Sequence, residues 1–245
     1  MLSGVATAER AEIALNAMEA NLVSEQEKLI RLLTPAFDKT SHDPGYIKGY
    51  LPGVRENGGQ YTHGVLWGVQ ALAEVGRTER VAKLLEMLSP VSHGRTPEEV
   101  DVYRVEPYVI AADVYGVAPH VGRGGWSWYT GSAGCMYRNV LESMLGFTMV
   151  GGRSLALRPC IPTGWPGFRI WLRLPDGRTR YEIAVTRAAI GVGVTRVHVH
   201  GVEVSGAIMN GMASVELLRD GGVHVVTVAL ADDLTPRYVP ASIAP

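Results

Sequence analysis

The chain has 245 residues, 47% hydrophobic and 19% charged, enough to bury a core in one large domain or two smaller ones. Its formal net charge is −1 with both signs interspersed, which excludes the basic field that nucleic-acid binding requires and leaves a neutral or locally anionic small ligand as the better fit. Two cysteines, Cys135 and Cys160, exclude a disulfide scaffold and fit a reducing compartment.

Glu9, Arg10 and Glu12 interrupt the first eighteen residues, so neither a signal peptide nor a membrane span is expected there, and a cytoplasmic location is. Apolar residues then recur at helical spacing: Ile13, Ala17 and Met18; Leu29, Leu32 and Leu33; Val65, Val69, Leu72 and Ala73; Val81, Leu84, Leu85 and Leu88. Gly76 follows the third set and Thr78 opens the fourth. Pro107 is expected in the first turn of a helix closed by Gly116, and Ser132 as the N-cap of one running from Cys135 to Leu145 and ended by Gly146.

Near Gly151-Gly152 the period changes from helical to alternating, and the chain is cut there into residues 1–150 and 151–245. Strands are expected at Phe168–Arg173, Tyr181–Val185, Val197–His200 and Val223–Leu230, with turns at Pro175-Asp176-Gly177 and Asp220-Gly221-Gly222. A β-sandwich packed on helices follows. His198, His200 and His224 alternate within strands and are expected to face solvent; no Cys or His spacing suits a metal. Val192-Gly193-Val194 lies among strands with no helix after it, so it is not a dinucleotide fingerprint.

Two glycine-rich loops, Gly45 to Gly59 and Gly116 to Gly134, each run into a helix start, where exposed N–H groups favour an anion. His63 lies in the first turn after one; the bland alternative is a core histidine with satisfied nitrogens. Thr130-Gly131-Ser132 offers hydroxyls and free N–H groups after the other, although Ser132 as a plain cap needs no ligand. Trp126, Trp128 and Tyr129 serve either as a sugar platform or as core aromatics.

Taken together, Gly45-Tyr46-Ile47-Lys48-Gly49-Tyr50, the run Pro52 to His63, Val105-Glu106-Pro107-Tyr108-Val109, Gly122 to Trp126 with Tyr129 to Gly134, and Pro159-Cys160-Ile161-Pro162 with Trp165 to Phe168 resemble glycoside hydrolase family 94. That family holds cellobiose, chitobiose and β-1,2-oligoglucan phosphorylases, and the motifs are most similar to the C-terminal segment of cyclic β-1,2-glucan synthases. The resemblance implies part of an (α/α)6 six-hairpin barrel followed by a β-sandwich. It implies inorganic phosphate held by His63, Thr130 and Gly131, and sugar contacts from Arg55, Glu56, Gln60, Arg123 and Trp128. Phosphate is then the co-substrate, with no cofactor and no metal. The general-acid aspartate of the family belongs to a segment upstream, so no catalytic residue is expected in this chain. About five or six helices precede Gly152 where a closed barrel needs about twelve, so the missing half of the barrel is an expected partner beside a β-glucan oligosaccharide and phosphate. Nucleic acid and direct membrane contact are not expected, and a homodimer is left open. The readings carried forward are the C-terminal portion of an inverting β-1,2-glucan phosphorylase, a cellobiose or chitobiose phosphorylase fragment, a non-catalytic carbohydrate- or phosphate-binding module, and a truncated product without independent function.

Overall fold

The structure, a computed structural model, describes residues 1–187 and 193–231. Val192 and the end of the expected strand domain, 232–245, lie outside the described residues. Among the described residues the chain divides into two compact units, one of Met1–Leu72 with Lys83–Asn139, the other of Ala73–Ala82 with 140–187 and 193–231. Against the cut placed near residue 150, the second unit begins at Val140, about three helical turns earlier, and takes with it the connection between two helices.

In the first unit α1 (Ala8–Leu22) starts behind Thr7, whose hydroxyl accepts from the Arg10 N–H at 3.2 Å. Ala11 and Leu15 form its buried stripe, whereas Ile13 on the expected apolar face stays 58% exposed. Leu29, Leu32 and Leu33 do not form a helix. Leu29 and Ile30 instead make β2 (Leu29–Ile30), which pairs antiparallel with β1 (Val23–Ser24) through a turn at Lys28 in the left-handed region. Residues Leu29 and Ile30 are both buried, which a two-residue strand accommodates and so short an apolar run could not do as a helix.

Helices α2 (Thr62–Glu74) and α3 (Thr78–Leu88) match the periodicity, with Leu66, Val69 and Leu72 buried on one and Val81, Leu84 and Leu85 on the other. Each such leucine contributes about 1.5–3 kcal/mol by leaving water. The next helix is α4 (Pro97–Tyr103), capped by the Thr96 hydroxyl with Pro97 in its first turn, and closed by Arg104 at φ 58°. The helix expected from Pro107 to Gly116 does not form. Pro107 and Tyr108 stand in a turn, and the chain then runs through β4 (Asp113–Val114), paired with β3 (Gln60–Tyr61). Its backbone groups are bonded on both sides, so none remain for a helical ladder. Finally α5 (Thr130–Arg138) passes into a π-helical turn, Asn139–Met144.

Among the described residues the second unit carries nine strands: β5 (Phe147–Val150), β6 (Ser154–Leu157), β7 (Gly167–Arg173), β8 (Arg180–Arg187), β9 (Val194–Val199), β10 (Val202–Glu203), β11 (Ile208–Met209), β12 (Met212–Glu216) and β13 (Val223–Leu230). One sheet has the order β11-β12-β6-β5, the other β10-β9-β13-β8-β7. Every pairing is antiparallel except β13 with β8. The turn at Asp220-Gly221-Gly222 therefore joins strands of different sheets rather than a hairpin. In register, His224, Val226 and Val228 of β13 face Tyr181, Ile183 and Val185 of β8, and all six are buried. His224 is thus not on the solvent side as expected: the period of two that turns Val226 and Val228 inward turns His224 inward too, leaving it 5% exposed. Its ring stacks on Tyr181 and bonds Asp220 Oδ1 at 2.9 Å and His200 Nε2 at 3.2 Å.

Gly146, at φ 70°, turns the chain out of the π-helical segment, and a methyl group there would sit 2.5 Å from the Pro159 nitrogen and closer still to the Arg158 carbonyl. Gly146→Ala is expected to cost about 3 kcal/mol or more, the left-handed penalty plus the clash. Gly151→Ala, at φ 58° with open space around it, should cost only about 1–2 kcal/mol. Urea midpoints of the two variants test this; equal losses would show that the Arg158 contact is irrelevant. Among the described residues no helix is long and apolar enough to cross a membrane.

Candidate functional site

The extended segment from Ala111 to Gly116, which takes the place of the expected helix, stitches the two glycine-rich loops together. On one side Ala112 O accepts from Thr62 N–H at 2.8 Å and Gly53 O accepts from Gly116 N–H at 2.8 Å. On the other, Ala112 N–H donates to Trp126 O at 2.6 Å, Tyr115 N–H to Arg123 O at 2.8 Å, and Gly125 N–H to Asp113 O at 2.9 Å. Two loops far apart in sequence are thereby brought edge to edge.

Asp113, on this segment, was not singled out by sequence, yet it is the side chain that couples both loops. It is 2% exposed, and its carboxylate accepts from the Trp126 N–H at 2.9 Å and from the Arg55 N–H. Burial raises its pKa above the usual carboxylate value, against the lowering by the Trp126 N–H and by the Arg55 charge. A methyl at Gly125 would fall 2.7 Å from the Asp113 carboxyl carbon, so the second loop has glycine where it crosses this carboxylate. The one sequence signal for Asp113 is a lone acid in the otherwise apolar run Val109 to Val114.

Around it lies an open cleft of about 480 Å³ lined by Val54, Arg55, Asp113, Tyr115, Gly125, Trp126 and Ser127. Arg55 stands in the left-handed region at φ 49°, an arrangement that costs of order 1–3 kcal/mol and is typical of functional sites. Its guanidinium lies between two rings, 4.7 Å from the Trp126 centroid and 5.3 Å from that of Tyr50. The Arg55 Nε and the Glu56 Oε2 are 3.7 Å apart, both buried, and neither makes a hydrogen bond among the described residues. Buried polar atoms of this kind call for a partner. Glu56 also acts electrostatically on Tyr61, whose hydroxyl is bonded to that of Tyr129 and whose pKa is raised, mainly by burial.

Tyr129 leads to the second feature. It occupies the N-cap of α5 but makes no side-chain cap, so the first N–H groups of that helix are left without one. Ser132, expected as the cap, is instead the third residue of the helix, its hydroxyl donating back to Tyr129 O at 3.0 Å. Thr130 is exposed at the start of α5, and a methyl added to Gly131 would lie 3.8 Å from His63 Nδ1 in the first turn of α2. The starts of α2 and α5 therefore lie close together, with the His63 imidazole on one and uncapped N–H groups on the other. Uncapped N–H groups at a helix start beside an imidazole favour an anion. The His63 ring itself packs edge-on to Trp67, centroids 5.9 Å apart.

The other sequence-derived candidates divide. Gln60 is buried in a supporting place, its amide oxygen accepting from Ile30 N–H at 3.0 Å and its amide nitrogen donating to Thr62 Oγ1 at 3.3 Å. Arg123 belongs to the turn that follows His120 and stands outside the residues lining the cleft. Trp128 is exposed, with its indole N–H on Glu106. Asn57, without a role in the sequence reading, holds the first loop closed through Phe37 and Tyr50. Among the described residues no group of three His, Cys, Asp or Glu is placed to hold a metal.

The helical unit thus sets two adjacent helix starts near an aromatic cleft that holds a buried acid and an arginine. The chain belongs to the glycosyl hydrolase 94 superfamily: the family's catalytic-domain model matches residues 1–146. It is 47% identical over 186 residues to the cyclic beta-(1,2)-glucan synthase NdvB of Rhizobium meliloti, covering 76% of this chain and 6% of that protein. It is 31% identical over 211 residues to the N,N'-diacetylchitobiose phosphorylase of Vibrio proteolyticus, covering 85% of this chain and 25% of the relative. With the solabiose phosphorylase of Paenibacillus borealis it shares 30% over 229 residues, 93% of this chain and 28% of the relative. The chain thus spans about a quarter of the phosphorylases and a much smaller share of the synthase.

Proposed function

We propose that this chain is the phosphate-holding C-terminal portion of an inverting phosphorylase that acts on β-1,2-glucan with inorganic phosphate to give α-glucose 1-phosphate. Its helical unit would be the C-terminal part of an (α/α)6 barrel and its strand unit a β-sandwich. The observation that carries the reading is the pair of adjacent helix starts, His63 on α2 and Thr130-Gly131 on α5. In inversion the nucleophile approaches the anomeric carbon from the face opposite the leaving sugar. Phosphate is already an anion and requires positioning and charge neutralisation rather than a carboxylate base. The cleft at Arg55, Glu56 and Trp126 would hold the glucosyl ring next to it. The general-acid aspartate and the rest of the phosphate clamp would come from the remainder of the family domain. The similarity to a cyclic beta-(1,2)-glucan synthase supports the β-1,2 linkage.

The test combines this chain with the upstream part of such a phosphorylase domain and measures release of α-glucose 1-phosphate from linear β-1,2-glucan and phosphate. Activity only in the mixture, with no turnover of cellobiose or N,N'-diacetylchitobiose, is the expected result. A stable complex that turns over none of the three would overturn the reading, and turnover of cellobiose alone would change the substrate.

A further inference from the structure

We propose that the stacked pair His93–Tyr103 is an acid-sensitive latch on the second glycine-rich loop: with a neutral imidazole it holds the loop in place, and protonation of His93 loosens the loop and lowers phosphate affinity. The effect on affinity rests on the phosphate reading above, whereas the latch rests on geometry inside the helical unit. His93 is the last residue of the short 3-10 helix Pro90–His93, and Tyr103 is the last of α4. Their rings lie face to face, the planes 13° apart and the centroids 4.7 Å, and residues of this chain alone leave them only 6% and 3% exposed. Tyr103 in turn touches both the loop and the extended segment that runs beside it. Its carbonyl accepts from the Gly124 N–H at 2.9 Å, and its hydroxyl is bonded to the main chain of Ala111, where that segment begins. A methyl on Gly124 would fall 3.2 Å from Tyr103 Cε2, so the loop crosses close over the phenol ring. Ala111 and Val114 share one buried cluster with Tyr103.

The hydrogen bonding admits only the neutral ring. His93 Nε2 lies 2.9 Å from Met87 O, which can only accept, so the proton is on Nε2 and Nδ1 carries a lone pair. Among the described residues Nδ1 has no hydrogen-bonding partner. A second proton would create a buried cation with an unmatched N–H, and the parallel stack directs that N–H away from the phenol face. The charged groups around the ring are already engaged. Lys28, from the β1–β2 turn, is bonded to Ser92 O at 3.0 Å and to Glu99 of α4, and that carboxylate also accepts from the Arg95 N–H at 2.8 Å. Arg95 holds Glu86 of α3 at 2.7 Å, Arg31 holds Glu27 at 2.6 Å, and Glu98 stands in the first turn of α4. Burial lowers the His93 pKa below its ordinary value of 6.5 and the Lys28 charge acts the same way, against the Met87 bond and the Glu99 charge. Burial pushes Tyr103 up to about 12, so His93 is the member of the pair that changes charge on mild acidification. With the folded value below the unfolded one, the stabilisation is complete above the unfolded value and is lost as pH falls through the lowered one.

The experiment follows hydrogen exchange at the Gly124 and Gly125 amides by NMR from about pH 4.5 to 8, each rate divided by the intrinsic rate at that pH. The parent, His93→Gln and Tyr103→Phe are compared, with inorganic phosphate titrated by calorimetry over the same range. Glutamine retains an N–H for Met87 O and has no proton to gain. Protection in the parent should fall about tenfold or more on acidification, in step with the ring-proton shift of His93, whereas His93→Gln should stay within about threefold. Phosphate affinity of the parent relative to His93→Gln should fall over the same window, a ratio in which the titration of phosphate itself cancels. Tyr103→Phe retains the ring but not the bond to Ala111, and should lower protection at every pH without moving the midpoint. If His93→Gln does not fold, the parent alone decides, since the loop and the His93 ring must then share one midpoint. Protection independent of pH in the parent, separate midpoints for loop and ring, or the same acid loss in His93→Gln would each overturn the latch. A parent that binds no phosphate at any pH would remove the proposed function, and the exchange arm would still decide the latch.

Discussion

Replacing His63 by alanine weakens phosphate binding about ten- to a hundredfold, read by calorimetry on the folded chain. With the proton on Nδ1, the ring nitrogen nearest Gly131, the imidazole donates to an anion in the space between α2 and α5. A hydrogen bond to a charged group is worth about 1.5–3 kcal/mol, and each 1.4 kcal/mol is a factor of ten. Some affinity remains in the variant, because the uncapped N–H groups at the start of α5 are main-chain donors that the substitution does not touch. Oligosaccharide affinity should move by less than twofold. A His63→Ala chain that binds phosphate within twofold of the parent would place His63 among the packing residues, against Trp67, and withdraw the anion site.

The larger effect on stability is expected at Asp113. Alanine there leaves the N–H groups of Trp126 and Arg55 without their acceptor in a buried place, at about 1–3 kcal/mol each, so a total loss of about 2–6 kcal/mol should appear in the urea midpoint. Both loops lose their common anchor, and phosphate and oligosaccharide affinity should fall together even in conditions where the variant is folded. The pH dependence has a definite sign. Burial raises the folded-state pKa of Asp113 above its ordinary value of 3.8, so the fold holds that proton more tightly than the unfolded chain. The resulting stabilisation is complete below the unfolded pKa and is lost as pH rises through the raised folded value. The stability of the parent relative to Asp113→Asn should therefore be greatest at the acid end and decline with rising pH through that window. A difference independent of pH from about 3 to 7 would show that the carboxyl titrates as it does in the unfolded chain.

What was legible in the sequence depended on range. Helices α2 and α3 and strands β7, β8, β9 and β13 announced themselves because their burial follows a local period, and local periodicity is written into consecutive residues. The family was legible for a similar reason, in uninterrupted motifs such as Gly45 to Tyr50 and Pro52 to His63. Short apolar stretches misled: Leu29 to Leu33 has helical spacing but resolves into a two-residue strand pair, and Pro107 promised a helix start that the flanking loops overrode.

By itself the sequence determined that the chain is helical then stranded, that it carries two glycine-rich loops ending at helix starts, and that its motifs are those of a carbohydrate phosphorylase family. Only the tertiary structure decided that Ala111 to Gly116 runs extended between those loops, that Asp113 couples them, that Ser132 leaves α5 uncapped, and that His224 is a core residue. The reason is physical. Extended backbone satisfies its hydrogen bonds with whatever strand or loop lies alongside, and those partners are some fifty residues earlier and about ten later, so no window of neighbouring residues contains the information.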